Sequence, residues 1–129
     1  MATIKRFEEF EAWKKARELT REVYRFSRSG PFARDFGLRD QMRRAAVSVM
    51  SNIAEGFERG GTAEFLQFLA VSKASAGEVE SQLYVALDQK YISEEQFRSA
   101  RRTTTSTKKL IAGLMNYLRR SGIRGTKYK

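Results

Sequence analysis

The sequence predicts an all-helical protein, an antiparallel up-down-up-down four-helix bundle, and three observations lead there. Apolar residues recur at three- and four-residue steps over four long segments, the period of one helix face. Only one proline and nine glycines interrupt the 129 residues, and those that read as punctuation, Gly30, Gly60, Gly61 and Gly122, fall between the periodic segments. Connections of about two to eight residues then make successive helices antiparallel neighbours.

The first helix is expected from about Phe10 to Phe26, with Trp13, Ala16, Thr20, Val23 and Tyr24 on one face, and "SRSGPFAR" ends it. The second runs from about Asp35 to Glu58 and is closed by Gly60-Gly61, which supply the left-handed conformation common at helix ends. Thr62 is placed to cap the third, which carries Phe65, Phe68, Leu69, Ser72, Ala76, Val79, Leu83, Ala86 and Leu87 on one side and reaches about Lys90. "SEEQ", Ser93 to Gln96, has the capping-box pattern and starts the fourth, which Gly122 closes after Arg119-Arg120. Residues 1–121 are expected to form a single domain with no internal repeat, and 122–129 a basic flexible tail.

Cysteine and histidine are both absent. That removes disulfides, thiol nucleophiles, thiolate metal sites and the commonest general base and metal ligand. No metal, cofactor or catalytic residue is expected. "MATIKRFEEFEAW" has no apolar signal-peptide core, and no apolar run approaches the roughly 20 residues of a spanning helix. A soluble, cytoplasmic protein is the expectation.

The net charge of +10 is unevenly placed: residues 98–129 hold ten of the 25 Lys+Arg and none of the 15 Asp+Glu, so the whole excess lies in the last quarter. Such asymmetry points to a polyanionic partner, nucleic acid or an anionic membrane surface. At about 100° per residue, Arg98, Arg101, Arg102, Thr105, Lys108, Lys109, Ala112, Asn116, Arg119 and Arg120 share an arc of roughly 120° on the fourth helix. Ala100, Thr104, Thr107, Leu110, Ile111, Leu114, Met115 and Leu118 occupy the opposite side. The result is a basic ridge about 33 Å long. Guanidinium and ammonium groups in a rigid row suit phosphate oxygens, and counterion release adds a sequence-independent driving force. The bland alternative is a solvated face, but solubility alone is normally served by mixed signs, as in "EEFEAWKKARELTRE" of the first helix. Sequence-specific reading is disfavoured, since no zinc-finger spacing, helix-turn-helix signal or ribonucleoprotein aromatic motif is present. Membrane binding is a minor reading, because the bundle already occupies the face that would insert.

The second helix keeps a polar stripe, Gln41, Arg44, Ser48, Asn52, Glu55 and Arg59, beside a broad apolar face of Leu38, Met42, Ala45, Ala46, Val49, Ile53 and Phe57. Val47, Met50 and Ala54 carry the apolar surface further round, more than one bundle partner covers, which predicts contact with another subunit. The stripe reads first as an assembly and packing motif of Arg44, Ser48, Asn52, Glu55 and Arg59, whose hydrogen bonds and ion pairs fix register or face water. A catalytic site around Glu55 is the sharper alternative, weakened because the stripe offers no second acid and the chain no histidine.

"QMRRAAVSVMSNIAEGFERG", Gln41 to Gly60, resembles the signature of the small bacterial four-helix bundle proteins encoded in intervening sequences of 23S ribosomal RNA genes, with Arg43, Arg44, Ser48, Ser51, Asn52, Ile53, Ala54, Glu55, Gly56 and Arg59 matching in register. "FEAWKKARELTREVY", "FGLRDQ" and "EFLQFLAVSKASAGEVESQL" resemble the flanking parts of the family, so the likeness covers roughly residues 7–90. Two positions depart from it: Met50 stands where proline is usual, removing an expected kink, and Ala74-Ser75 where a Gly-Ser pair is usual. The resemblance implies a left-handed bundle assembling as a homopentamer and no enzymatic activity. It also implies a similarity to the accessory bundle proteins of diversity-generating reverse transcriptases, which bind nucleic acid and the polymerase.

Together these readings give a non-enzymatic homo-oligomer that binds RNA or DNA backbones through Arg98, Arg101, Arg102, Lys108, Lys109, Arg119 and Arg120, with Arg43 and Arg44 as lesser candidates. A protein-interaction scaffold for a nucleic-acid enzyme is the alternative.

Overall fold

The computed structural model describes residues 3–121, and all its regular structure is helical. A 3-10 turn at Phe7–Glu9 leads into α1 (Glu11–Ser27); a short α2 (Gly30–Arg34) precedes the long helices α3 (Phe36–Glu58), α4 (Thr62–Asp88) and α5 (Glu94–Ser121). The four long helices are those expected from periodicity, with ends within a few residues. Gly122 and the basic tail lie outside the described residues.

Helix α2 was expected as a plain connector. Pro31 sits in its first turn, where a fixed φ and a missing N–H cost nothing, and Gly30 adopts φ 68° at its entry. The turn is held by Phe32, 1% exposed and stacked on Phe26 and Tyr91 at 5.9 and 5.2 Å. An apolar plug at the bundle end, not helix propensity, orders these five residues.

Asp35 caps α3: its Oδ1 accepts the amide of Leu38 at 3.1 Å, while its Oδ2 accepts the Tyr91 hydroxyl at 2.9 Å. Helix α3 then runs unbroken through Met50. Gly60, with φ 86°, closes it, whereas Gly61 is extended and forms the N-cap of α4. Thr62 is therefore not the cap the sequence suggested; it is the first helical residue, and its hydroxyl oxygen is buried without a hydrogen-bond partner. The capping box of α5 forms as expected, with Gln96 N–H donating to Ser93 Oγ at 3.0 Å and Ser93 N–H to Gln96 Oε1 at 2.8 Å.

Helix α1 packs against α3 and α5, and α4 packs against the same two. At one end of the core Phe10, Phe57 and Phe65 meet edge to face, with centroids 5.3 to 6.1 Å apart. At the other, Phe32, Met42, Leu83, Ile92 and Phe97 fill the space under α2. Polar links cross the middle: the Thr20 hydroxyl lies 3.2 Å from the Ala46 carbonyl, Ser72 Oγ donates to the Val49 carbonyl at 2.6 Å, and Ser99 Oγ donates to Glu22 at 2.9 Å.

Helices α3 and α4 approach closely at Gly56. A Cβ on Gly56 would lie 2.6 Å from Phe68 Cβ and 2.9 Å from a Phe65 ring carbon. Only hydrogen fits there.

Candidate functional site

Helix α5 turns apolar side chains inward and cations outward because its pattern carries both at a 3.6-residue period. Arg98, Arg101, Arg102, Lys109, Arg119 and Arg120 are exposed and Lys108 is half-buried. Thr104 and Thr107 are fully buried opposite them, their hydroxyls returned to the carbonyls of Ala100 and Thr103 at 2.7 Å each. One assignment to the inner side fails: Leu110 is 36% exposed, in an apolar hollow with Ile4, Leu114 and Tyr117.

The ridge is less free of acid than the sequence of its own helix suggests. Glu80, reaching across from α4, accepts from Lys108 Nζ at 2.9 Å and from Arg101 Nε at 3.2 Å. The hydrogen bond from Lys108, joined by that from Arg101, holds the Glu80 carboxyl below its ordinary range against the opposing effect of burial. Arg98 pairs with Glu94 one turn earlier at 3.3 Å, and Arg119 lies 3.5 Å from the Asn116 side-chain oxygen. Arg102, Lys109 and Arg120 form no ion pair among the described residues. Beside them a shallow open hollow is lined by Phe97, Arg98, Arg101, Arg102, Thr105 and Ser106.

The stripe on α3 lies along the α4 side. Ser48 Oγ and Ser75 Oγ are 2.9 Å apart, and Asn52 Nδ2 donates to the Ser48 carbonyl at 2.8 Å and to its hydroxyl at 2.9 Å. Glu55 is exposed and pairs with Arg59 at 3.0 Å; Arg59 also lies 3.9 Å from Glu64 and 5.1 Å above the Phe68 ring. Gln41 and Arg44 are exposed. Arg43 leaves this side altogether and turns toward α1, its Nε donating to the buried Ser27 hydroxyl at 2.9 Å. Of the surplus apolar residues, Val47 is 38% exposed, whereas Met50 is half-buried against Thr20.

The Ser48–Asn52–Ser75 link joins the α3 signature to the α4 segment that flanks it, and the sequence matches the proteins described as 23S rRNA-intervening sequence protein over residues 8–113. The chain belongs to this family. A crystal structure from Bacteroides thetaiotaomicron VPI-5482, described as a protein with unknown function from the S23 ribosomal protein family, is similar with a TM-score of 0.73 and 24% identity, over 81% of this chain and 97% of that one. At that identity the likeness shows the fold. No curated protein matches this chain.

Within this intervening-sequence protein, Gly56 of the signature is explained by the close approach of α3 to α4, Ser48 by its hydrogen bond with Ser75, and Asn52 by its bonds to the Ser48 carbonyl and hydroxyl. Among the described residues no group of three or more His, Cys, Asp or Glu is placed to hold a metal, and no helix is long and apolar enough to cross a membrane. Two features escaped the sequence reading. Glu80 did so because the register of α4 against α5 is not written in either helix alone. The arginines of α1 did so although their signal was present: Arg17, Arg21, Arg25 and Arg28 recur at four-, four- and three-residue steps, the spacing of one helix face.

Proposed function

We propose that this protein is a non-enzymatic, oligomeric bundle that binds nucleic-acid backbones through the exposed cations of α5. The observation that carries the reading is the row Arg98, Arg101, Arg102, Lys108, Lys109, Arg119 and Arg120 on one face of a 28-residue helix, with a single acceptor, Glu80, on the neighbouring helix beside two of them. Phosphate oxygens compete with one shared carboxylate at Arg101 and Lys108, and meet no competing ion pair at Arg102, Lys109 and Arg120. Base readout along the ridge is not part of the proposal; Tyr84 of α4 sits under the Arg101 guanidinium at 5.7 Å and packs on Phe97 at 4.9 Å.

The bundle is read as left-handed and up-down-up-down. The left hand comes from family resemblance alone; the up-down order is supported by partners that run in opposite chain order across neighbouring helices, Phe10 meeting Phe57 while Ser27 meets Arg43, and Gly56 meeting Phe68 while Ser48 meets Ser75. Homo-oligomerisation, as a pentamer by family resemblance, is supported by exposed Val47 on α3 and exposed Val71 and Val85 on α4. Arg44, Ser48, Asn52, Glu55 and Arg59 serve packing and assembly in this reading. The same exposed apolar residues favour the second reading, a cytoplasmic scaffold that holds a nucleic-acid enzyme. Purified protein tests the choice: a raised 260/280 nm absorbance ratio that nuclease lowers supports nucleic-acid binding, and a ratio that nuclease leaves unchanged favours the scaffold. Light scattering that returns a monomer at micromolar concentration removes the assembly.

A further inference from the structure

On paper α1 mixes its charges; folded, it sorts them. Its acids are all engaged: Glu11 with Lys14 at 3.2 Å, Glu18 with Lys15 at 3.0 Å, and Glu22 with the Ser99 hydroxyl of α5 at 2.9 Å. Its arginines carry no ion pair among the described residues: Arg17, Arg21, Arg25 and Arg28 are exposed, with the Arg17 guanidinium 5.8 Å over the Trp13 ring. These four line a hollow of about 400 Å³ between α1 and α3, floored by Thr20 and Met50 with Tyr24 at its side.

Arg43 of α3 adds a fifth cation. Its guanidinium lies 4.5 Å over the Tyr24 ring while its Nε is tied to Ser27, and Arg28 Nε donates to the Tyr24 carbonyl at 3.2 Å. Two of the five cations are thus already oriented, which lowers the ordering cost of taking up an anion. Arg25 also borders a second hollow shared with Arg102 of α5, but Glu22 and Glu95 stand in it. Acid therefore separates this groove from the α5 ridge.

We propose that the α1–α3 groove is a second anion site, for a single strand of nucleic acid, with phosphates on Arg17, Arg21 and Arg28 and a base against Tyr24. Charge complementarity selects a polyanion. Four-residue steps along α1 place cations about 6 Å apart, within reach of successive phosphates of one chain. One feature selects a single strand. Tyr24, 36% exposed, offers an aromatic surface beside those cations, the combination that single-strand sites use.

The site does not depend on α5, and the test keeps the two apart. A labelled twelve-nucleotide oligo-dT and a duplex of mixed sequence are titrated by anisotropy between 50 and 200 mM salt, with the wild type, an R17Q/R21Q/R28Q variant and an R102Q/K109Q/R120Q variant. Circular dichroism checks that each is folded; the groove cations form no ion pair whose loss would unfold α1. With about 0.7 of log–log slope per phosphate on a single strand, the groove variant flattens the oligo-dT slope by about 2, while the α5 variant leaves at least that groove-dependent part in place. Tyr24→Ala weakens oligo-dT about tenfold at unchanged slope. A groove variant that binds oligo-dT with wild-type affinity and slope overturns the proposal, as does a wild type that binds no oligo-dT at 50 mM salt. Loss of duplex binding in the α5 variant alone bears only on the ridge.

Discussion

Substituting Gly56 by alanine tests how closely α3 and α4 must approach. The added methyl carbon would sit 2.6 Å from Phe68 Cβ and 2.9 Å from a Phe65 ring carbon. Carbon atoms settle at about 3.5–4.0 Å, so the helices must part by about 1 Å at this point. Phe68 Cβ is fixed to its backbone and cannot swing aside, and Phe65 belongs to the ring cluster with Phe10 and Phe57. Overpacking of this kind costs about 1–3 kcal/mol. Against it, alanine gains about 1 kcal/mol of helix propensity over glycine in a helix interior. The net expectation is a loss of up to about 2 kcal/mol, which in urea lowers the unfolding midpoint by up to about 1 M at unchanged slope, where an unhindered alanine would raise it. Gly77 and Gly113 supply internal controls, since a Cβ at either meets nothing within 4 Å. Gly77→Ala and Gly113→Ala should each stabilise by about 0.5–1 kcal/mol. All four proteins are compared at one concentration, because assembly would couple stability to it. A Gly56→Ala variant as stable as the two controls would refute the close-approach argument.

Three further outcomes follow from the same geometry. Asp35→Ala removes both the cap of Leu38 and the acceptor of Tyr91 and should cost about 1–2 kcal/mol in urea unfolding, with Asp35→Asn recovering part of it. Glu80, its carboxyl held low by Lys108 and Arg101, stabilises the fold above the ordinary carboxylate range and loses that contribution as pH falls through its lowered value; the stability gap between wild type and Glu80→Gln should therefore be present at neutral pH and close in acid, below about pH 4. Lys90 holds φ 61°, a left-handed conformation that disfavours side chains, so Lys90→Gly should raise the thermal midpoint by a few degrees, about 0.5–1 kcal/mol.

The four long helices were legible because each carries its own period and its own stop signal. Ser93 and Gln96 declare the start of α5 without help from the rest of the chain. Helix α2 was not legible, since only burial of Phe32 between Phe26 and Tyr91 makes those five residues helical. Thr62 misled for a local reason: Gly61 takes the extended cap conformation one residue earlier, leaving threonine inside the helix. The basic face of α5 could be drawn on a helical wheel, but Glu80 could not, because it belongs to a different helix and meets Lys108 only through the register of the fold. The converse holds on α1, where a mixed-sign sequence hides an arginine face that appears once Glu11, Glu18 and Glu22 are drawn to other partners. Ser48 and Asn52 stood out as polar residues among apolar ones, yet Ser75, the hydrogen-bond partner of Ser48 across the helix pair, had to come from the structure.

The central claim is that α5 presents a phosphate-binding surface, and the salt dependence of duplex binding tests it most directly. A labelled DNA duplex titrated by anisotropy from 50 to 200 mM salt should give a log–log slope near −4.5 if about five phosphates are engaged. Replacing Arg101, Arg102, Lys108 and Lys109 together by glutamine should flatten that slope by about 2, the share of Arg102 and Lys109, and Glu80→Gln, which frees Arg101 and Lys108 for phosphate, should steepen it by about 1 to 2. A slope indifferent to both changes, or no duplex binding at 50 mM salt, would contradict the account.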